Sequence, residues 1–139
     1  VVGSVKDTEI AWAAGFFDGE GSVFVNRIKR QKGGTTGKMY PVVSVSLSIS
    51  QVEPEPLERF TRAVGGRKPM GPYKPRHANA KPYYRWDACG RPSVHRVLCL
   101  LWPYMSGPKK RQARKVWATL KDLRTNKSPV LPPLPEEVV

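Results

Sequence analysis

Acidic side chains are scarce in this chain, and where they are missing matters more than how few there are. Eleven Asp and Glu stand against 24 Lys and Arg in 139 residues, a formal net charge of +13. From Ser22 to Val52 there is no acid at all, while Arg27, Lys29, Arg30, Lys32 and Lys38 supply cations. From Arg59 to Lys121 the one acid is Asp87, against a background that includes Arg67, Lys68, Lys74, Arg76, Arg85, Lys109, Lys110, Arg111, Arg114 and Lys115. A surface made basic only for solubility usually mixes signs, so acid-free stretches of this length point to a continuous anion-binding face. Nucleic acid fits that face better than a small neutral metabolite.

Cysteine is nearly absent too. Cys89 and Cys99 form no C-x-x-C pair and have no nearby histidine set, which excludes a disulfide framework and a zinc site and leaves two thiols expected to be buried. No apolar run approaches the roughly 18 residues of a membrane helix, and no basic segment followed by an apolar core opens the chain. The protein is expected to be intracellular, with no membrane partner. Its length fits one domain, residues 1–127, that buries about two-thirds of its unfolded surface without staples. The Pro-rich tail, residues 128–139, "SPVLPPLPEEVV", is expected to lie extended across the domain or to be disordered.

What is present reads as an alternation of helices and hairpins. Asp7 or Thr8 can cap a first helix whose apolar stripe is Ile10, Ala13, Ala14 and Phe17, and Gly19 and Gly21 end it. "SVFVNRIKR", the Gly-rich "QKGGTTGK" and "VVSVSLSISQ" predict a long antiparallel hairpin. In its second strand Val43, Val45, Leu47 and Ile49 share one face and Ser44, Ser46, Ser48 and Ser50 the other. The serine row is either an ordinary solvated face or one that lets phosphates and base edges come close. "EPEPLERFTRAV" predicts a second helix ending at Gly65 and Gly66. A shorter strand pair, 67–73 and 83–88, flanks the basic loop "KPRHANAKP", with Tyr84 and Trp86 inward. Pro92 opens a third helix that Pro103 closes, and Gly107 and Pro108 start an amphipathic fourth with Val116, Leu120 and Leu123 on one side. His95, with no second ligand beside it, reads as a surface or capping histidine.

The stretch "AAGFFDGEG", Ala13 to Gly21, in the order αββαββα, resembles the LAGLIDADG homing endonuclease family. The likeness extends to "SISQ" at the end of the second strand and to "PYMSGPKKRQA" at the start of the last helix, spanning roughly Ala11 to Lys121. It implies an α+β fold, a four-stranded antiparallel saddle sheet with helices on one face. One motif copy implies a homodimer through the first helix, at Ala14, Gly15, Asp18 and Gly19. Gly15 and Gly19 are four apart, so two such helices can approach closely about a twofold axis.

The same resemblance implies the chemistry. Glu20, where the family usually has aspartate, would ligate a divalent cation with the backbone carbonyl of Gly19. Mg²⁺ is the expected cofactor, with Mn²⁺ tolerated, because paired carboxylates facing a phosphodiester favour a hard, oxygen-loving cation. Gln51 matches the position that orients the attacking water, or is an ordinary strand-end amide. Lys109 matches the basic position near the scissile phosphate, or is one more phosphate-neutralising cation. Asp18 either caps and braces the helix end or joins the metal site.

For recognition, the resemblance implies a sheet laid along the major groove of double-stranded DNA, with both strands cut across the minor groove to leave 3′ overhangs. Outward candidates are Asn26, Arg30, Ser44, Ser46, Ser48, Lys68, Met70, Arg76 and Arg85, with Arg expected to read guanine and Asn26 adenine. The implied activity is a sequence-specific endonuclease acting at a long, roughly palindromic site and supporting mobility of an intron or intein. The alternatives are a catalytically silent nucleic-acid binder of the same fold, such as a splicing maturase or regulator, and a generic basic RNA-binding module. The last gives no reason for "FFDGEG" beside a helix of small residues.

Overall fold

The computed structural model describes residues 5–31, 39–123 and 131–135. Helix α1 (Val5–Glu20) leads into β1 (Gly21–Gln31) and β2 (Met39–Gln51), then α2 (Glu55–Val64), β3 (Met70–Tyr73), β4 (Tyr83–Cys89), α3 (Arg91–Leu101) and α4 (Gly107–Asp122). The four strands form one sheet in the order β1-β2-β4-β3, every neighbouring pair antiparallel. The Gly-rich turn expected between β1 and β2 falls at residues 32–38, outside the described residues.

Register decides which face is core. Val23 pairs with Leu47 and Val25 with Val45, while Leu47 and Ile49 face Ala88 and Trp86 across the next ladder. These side chains meet the apolar faces of the helices: Ile10, Ala13, Ala14 and Phe17 of α1, Leu57 and Phe60 of α2, Val94, Val97, Leu98 and Leu101 of α3, and Ala113, Trp117 and Leu120 of α4. Phe60 meets the Trp86 ring edge-on at 4.8 Å, an arrangement that puts a positive ring edge on a negative ring face. Each fully buried large side chain contributes about 1.5–3 kcal/mol of transfer free energy.

Several boundaries differ from expectation. Helix α1 already runs from Val5, so Asp7 lies in its first turn instead of capping it. Strand β3 is only Met70–Tyr73, and its register with β4 shifts between those residues. Pro72 has no N–H to donate, and Gly65 and Gly66 both have positive φ, so the chain leaves α2 by a turn and joins the ladder late. Cys89, expected to be buried, is exposed because it continues the outward phase of Arg85 and Asp87. On α4 the inward face is Ala113, Trp117 and Leu120, and Leu123 lies past the helix and exposed.

The described part of the tail is held against the helices. Trp117 donates its ring N–H to the Pro132 carbonyl at 2.7 Å, and His95 Nε2 lies 2.9 Å from the Pro133 carbonyl, while Leu131 and Leu134 pack on the core. Among the described residues no helix is long and apolar enough to cross a membrane.

Candidate functional site

The site lies where α1 becomes β1. Glu20 is the last residue of the helix and exposed. A carboxylate at a helix C-terminus sits against the negative end of the backbone dipole, a position that disfavours it by about 0.3–1 kcal/mol. Among the described residues Glu20 has no salt-bridge partner; its one side-chain contact is the Gln51 amide, whose Nε2 donates to Oε2 at 3.1 Å. Gln51 is there because β2 runs antiparallel to β1, which pairs Gly21 with Ile49 and carries the end of β2 past the end of α1.

Lys109 arrives from the other side. It belongs to the first turn of α4, where cations oppose the helix dipole as the acid does at the end of α1. Its Nζ donates to the Gly21 carbonyl at 2.7 Å and lies 5.3 Å from the centre of the Phe17 ring. Gly21 lets the Phe17 ring under that lysine lie against the backbone, since a Cβ there would overlap the ring. Glu20, Gln51 and Lys109, 89 residues apart at the extremes of sequence, are thus gathered around one backbone corner. Local preferences broken at both helix ends are a common mark of a functional position.

Asp18 faces the same junction from beneath. Both carboxylate oxygens accept the Ser106 backbone N–H, at 3.1 and 3.0 Å, and Ser106 in turn caps α4 by accepting the Lys109 N–H at 3.4 Å. The bracing reading of Asp18 therefore has a concrete partner within the chain. Ala14, expected both in the apolar stripe and at the dimer face, is fully buried in the chain's own core, as the stripe predicts and the dimer face does not. Gly15 and Gly19 are exposed, and a Cβ built on either meets nothing within 4 Å. Ser106 and Gly21 were missed as site residues, although a serine directly before Gly-Pro is a recognisable helix cap.

Of the remaining candidates, Asn26, Ser44, Ser46, Ser48, Met70 and Arg85 lie on the strands. Ser44 and Ser48 are half-buried, Met70 is 59% exposed, and Lys68 and Arg76 are exposed just outside the strands. Arg30 stands opposite Tyr40 in the β1–β2 ladder. Ser46, expected to be wet, is only 3% exposed, since Asn26 Nδ2 donates to its hydroxyl and Cys89 Sγ lies 3.7 Å away. Phe24, beside it in the ladder, is exposed. Arg85 donates from Nε to Asp87 Oδ2 at 2.8 Å, which pushes the pKa of its guanidinium above the ordinary arginine value.

A hard divalent cation matches these donors in kind, an exposed carboxylate and backbone carbonyls, but not in number. Among the described residues no three His, Cys, Asp or Glu side chains come together, so a cation at Glu20 would need ligands from a second chain or a substrate.

No protein-family model matches the sequence, and no curated protein does. Solved structures do. The homing endonuclease I-CvuI, in complex with the I-CreI target, is 22% identical and superposes with a TM-score of 0.63 over 85% of this chain and 69% of that one. The archaeal intron-encoded homing endonuclease I-Vdi141I, complexed with DNA, is 20% identical, with a TM-score of 0.56 over 78% of this chain and 64% of that one. The LAGLIDADG homing endonuclease I-LtrWI, bound to target DNA, is 16% identical, with a TM-score of 0.59 over 84% of this chain but 38% of that one. The four-stranded antiparallel sheet, the order of helices and strands and these superpositions make this the fold of the LAGLIDADG homing endonucleases.

Proposed function

We propose that the chain is a LAGLIDADG DNA endonuclease that works as a homodimer about α1. It would cut both strands of a long, roughly palindromic site to leave 3′ overhangs, in support of intron or intein mobility. The observation that carries this reading is the convergence of Glu20, Gln51 and Lys109 at one end of a basic sheet. The open faces of Gly15 and Gly19 support close approach of a second α1, which would bring two Glu20 carboxylates together.

In this reading each side chain has a task its geometry allows. Glu20 and the Gly19 carbonyl hold Mg²⁺, with Mn²⁺ tolerated; the bound cation supplies charge stabilisation at the phosphate and a more acidic water. Gln51, already within hydrogen-bond distance of Glu20, orients the attacking water with its amide. Lys109 places a fixed cation beside the scissile phosphate, where its charge acts most strongly once solvent is excluded. The outer sheet face supplies base contacts and the surrounding Lys and Arg bind phosphates.

The test begins with duplexes selected from a randomised DNA library by the protein in Ca²⁺, then supplied with Mg²⁺. The expected result is double-strand cleavage by the parent and binding without cleavage by Glu20→Gln. Cleavage by Glu20→Gln at the parent's rate would remove the metal role. Selective binding by the parent with no cleavage in Mg²⁺ or Mn²⁺ would leave a silent DNA binder of the same fold.

A further inference from the structure

Asp87 is out of place by charge. It is the one acid between Arg59 and Lys121, and β4 sets it on the outer sheet face opposite Ser48, where phosphate binding gains nothing from a carboxylate. Its surroundings account for it. Arg85 and Asp87 are two apart on one strand and so share a face, and the Arg85 Nε donates to Asp87 Oδ2 at 2.8 Å.

The atom used is informative. Nε is the inner nitrogen of the guanidinium, so this bond leaves the terminal NH₂ edge unspent by the pair. The flat face of the group is held as well: Arg85 Cζ lies 5.2 Å from the centre of the Tyr73 ring, which packs against Tyr83 at 5.5 Å. A carboxylate at one edge and a phenol ring at one face fix the direction of the fork, yet the Arg85 side chain remains 42% exposed. A mobile arginine suits any phosphate. A fixed fork whose terminal edge no described residue engages matches the paired acceptors O6 and N7 of guanine, and its prior ordering lowers the entropy lost on binding.

We infer that Asp87 is a specificity-determining residue: it fixes Arg85 so that the terminal guanidinium edge reads one guanine in the major groove of each half-site. The inference rests on the sequence-specific DNA binding proposed above. The same carboxylate repels the phosphates of a badly seated duplex, so Asp87 sharpens discrimination from both sides. Removing its charge therefore moves two quantities in opposite directions: preference for guanine at one base pair falls, and affinity for unrelated DNA rises or stays level. A residue that merely supported the strand would lower both.

The experiment is selection from a randomised double-stranded DNA library in Ca²⁺ by the parent, Arg85→Ala, Asp87→Asn and Asp87→Glu, with affinity for a scrambled duplex measured alongside. The parent is expected to favour guanine by about 5- to 150-fold at one position per half-site. Arg85→Ala should erase that preference and so identify the position. Asp87→Asn should lower it by at least about fivefold there alone, with scrambled-duplex affinity unchanged or tighter, and Asp87→Glu should recover part of it. The inference is overturned if Arg85→Ala alters no single position, if Asp87→Asn keeps the full guanine preference, or if its loss is spread over all positions with weaker scrambled binding. A parent that selects no sequence at all would instead bring down the sequence-specific reading, and this inference with it.

Discussion

The Asp18 carboxylate receives the Ser106 backbone N–H on both oxygens, which ties the last turn of α1 to the first turn of α4 across 88 residues of sequence. The contact joins the negative end of one helix to the positive end of the other through a charged acceptor, and Lys109 sits three residues beyond it. Asp18→Ala leaves the Ser106 N–H without its acceptor and frees the turn that aims Lys109. The expected cost is about 1.5–3 kcal/mol in denaturant unfolding, the usual range for a hydrogen bond to a charged group. DNA affinity should change far less than cleavage rate. Equal stability of variant and parent would remove the brace.

Gly21 carries a different constraint. Its φ is unexceptional, but an added Cβ would overlap Phe17 Cδ2 and stand 2.6 Å from Cε2 and 3.0 Å from the Phe17 carbonyl. Phe17 is fully buried and Lys109 shares its ring, so neither can retreat without loss. Gly21→Ala is expected to destabilise by about 1–3 kcal/mol, the range for overpacking a filled core. Gly19→Ala, with open space around its Cβ, should leave the isolated chain's stability within about 0.5 kcal/mol, and any effect should appear as weaker dimerisation in sedimentation.

These two cases show what could be read in advance. Alternation placed Val45, Leu47 and Ile49 inward because a strand buries one face, and the ladder bears this out. Helical spacing identified Ile10, Ala13, Ala14 and Phe17, and all four are buried; the resemblance also set Ala14 on the dimer face, where its burial in the chain's own core leaves it no exposed surface. Ser46 was illegible as a buried group because Asn26 and Cys89 reach it from strands on either side. Asp18 had two open roles until Ser106 stood beside it, and the Arg85–Asp87 bond, only two residues long, depended on knowing that this stretch is a strand.

Acid should weaken one polar tie between α1 and α2. Arg59 donates from Nε and Nη2 to the two Glu9 oxygens at 2.9 and 2.8 Å and lies 4.0 Å over the Trp12 ring. The hydrogen bond from Arg59 holds the Glu9 carboxyl below its ordinary value of 4.5. A depressed carboxylate contributes stability that is present above the ordinary value and lost as pH falls through the folded one. Because the pair is exposed, solvent and salt keep the effect small. Glu9→Gln keeps the shape without the charge, so its melting temperature should lie below the parent's near neutrality and converge on it as pH drops below 4.5. Parallel curves across that range would show that the pair contributes nothing.

Lys109 should separate holding DNA from cutting it. The chain carries 24 Lys and Arg, so the loss of one cation changes total phosphate attraction little. On a plot of log affinity against log salt, the parent is expected to fall steeply, with about 0.9 of slope for each phosphate neutralised, and Lys109→Met should reduce that slope by about one. Cleavage is another matter, because the Lys109 ammonium is fixed to the Gly21 carbonyl one residue from Glu20, where a charge held in place needs no reorganisation as the phosphate reacts. By analogy with removal of one fixed donor at a reacting oxygen, cleavage should drop by about 10²–10³ at saturating protein. Lys110→Met, one residue further along α4, should share the small change in salt slope without the large loss of rate. If both variants cut equally slowly, Lys109 is only one phosphate contact among many, and its position at the corner of α1 and β1 has no chemical consequence.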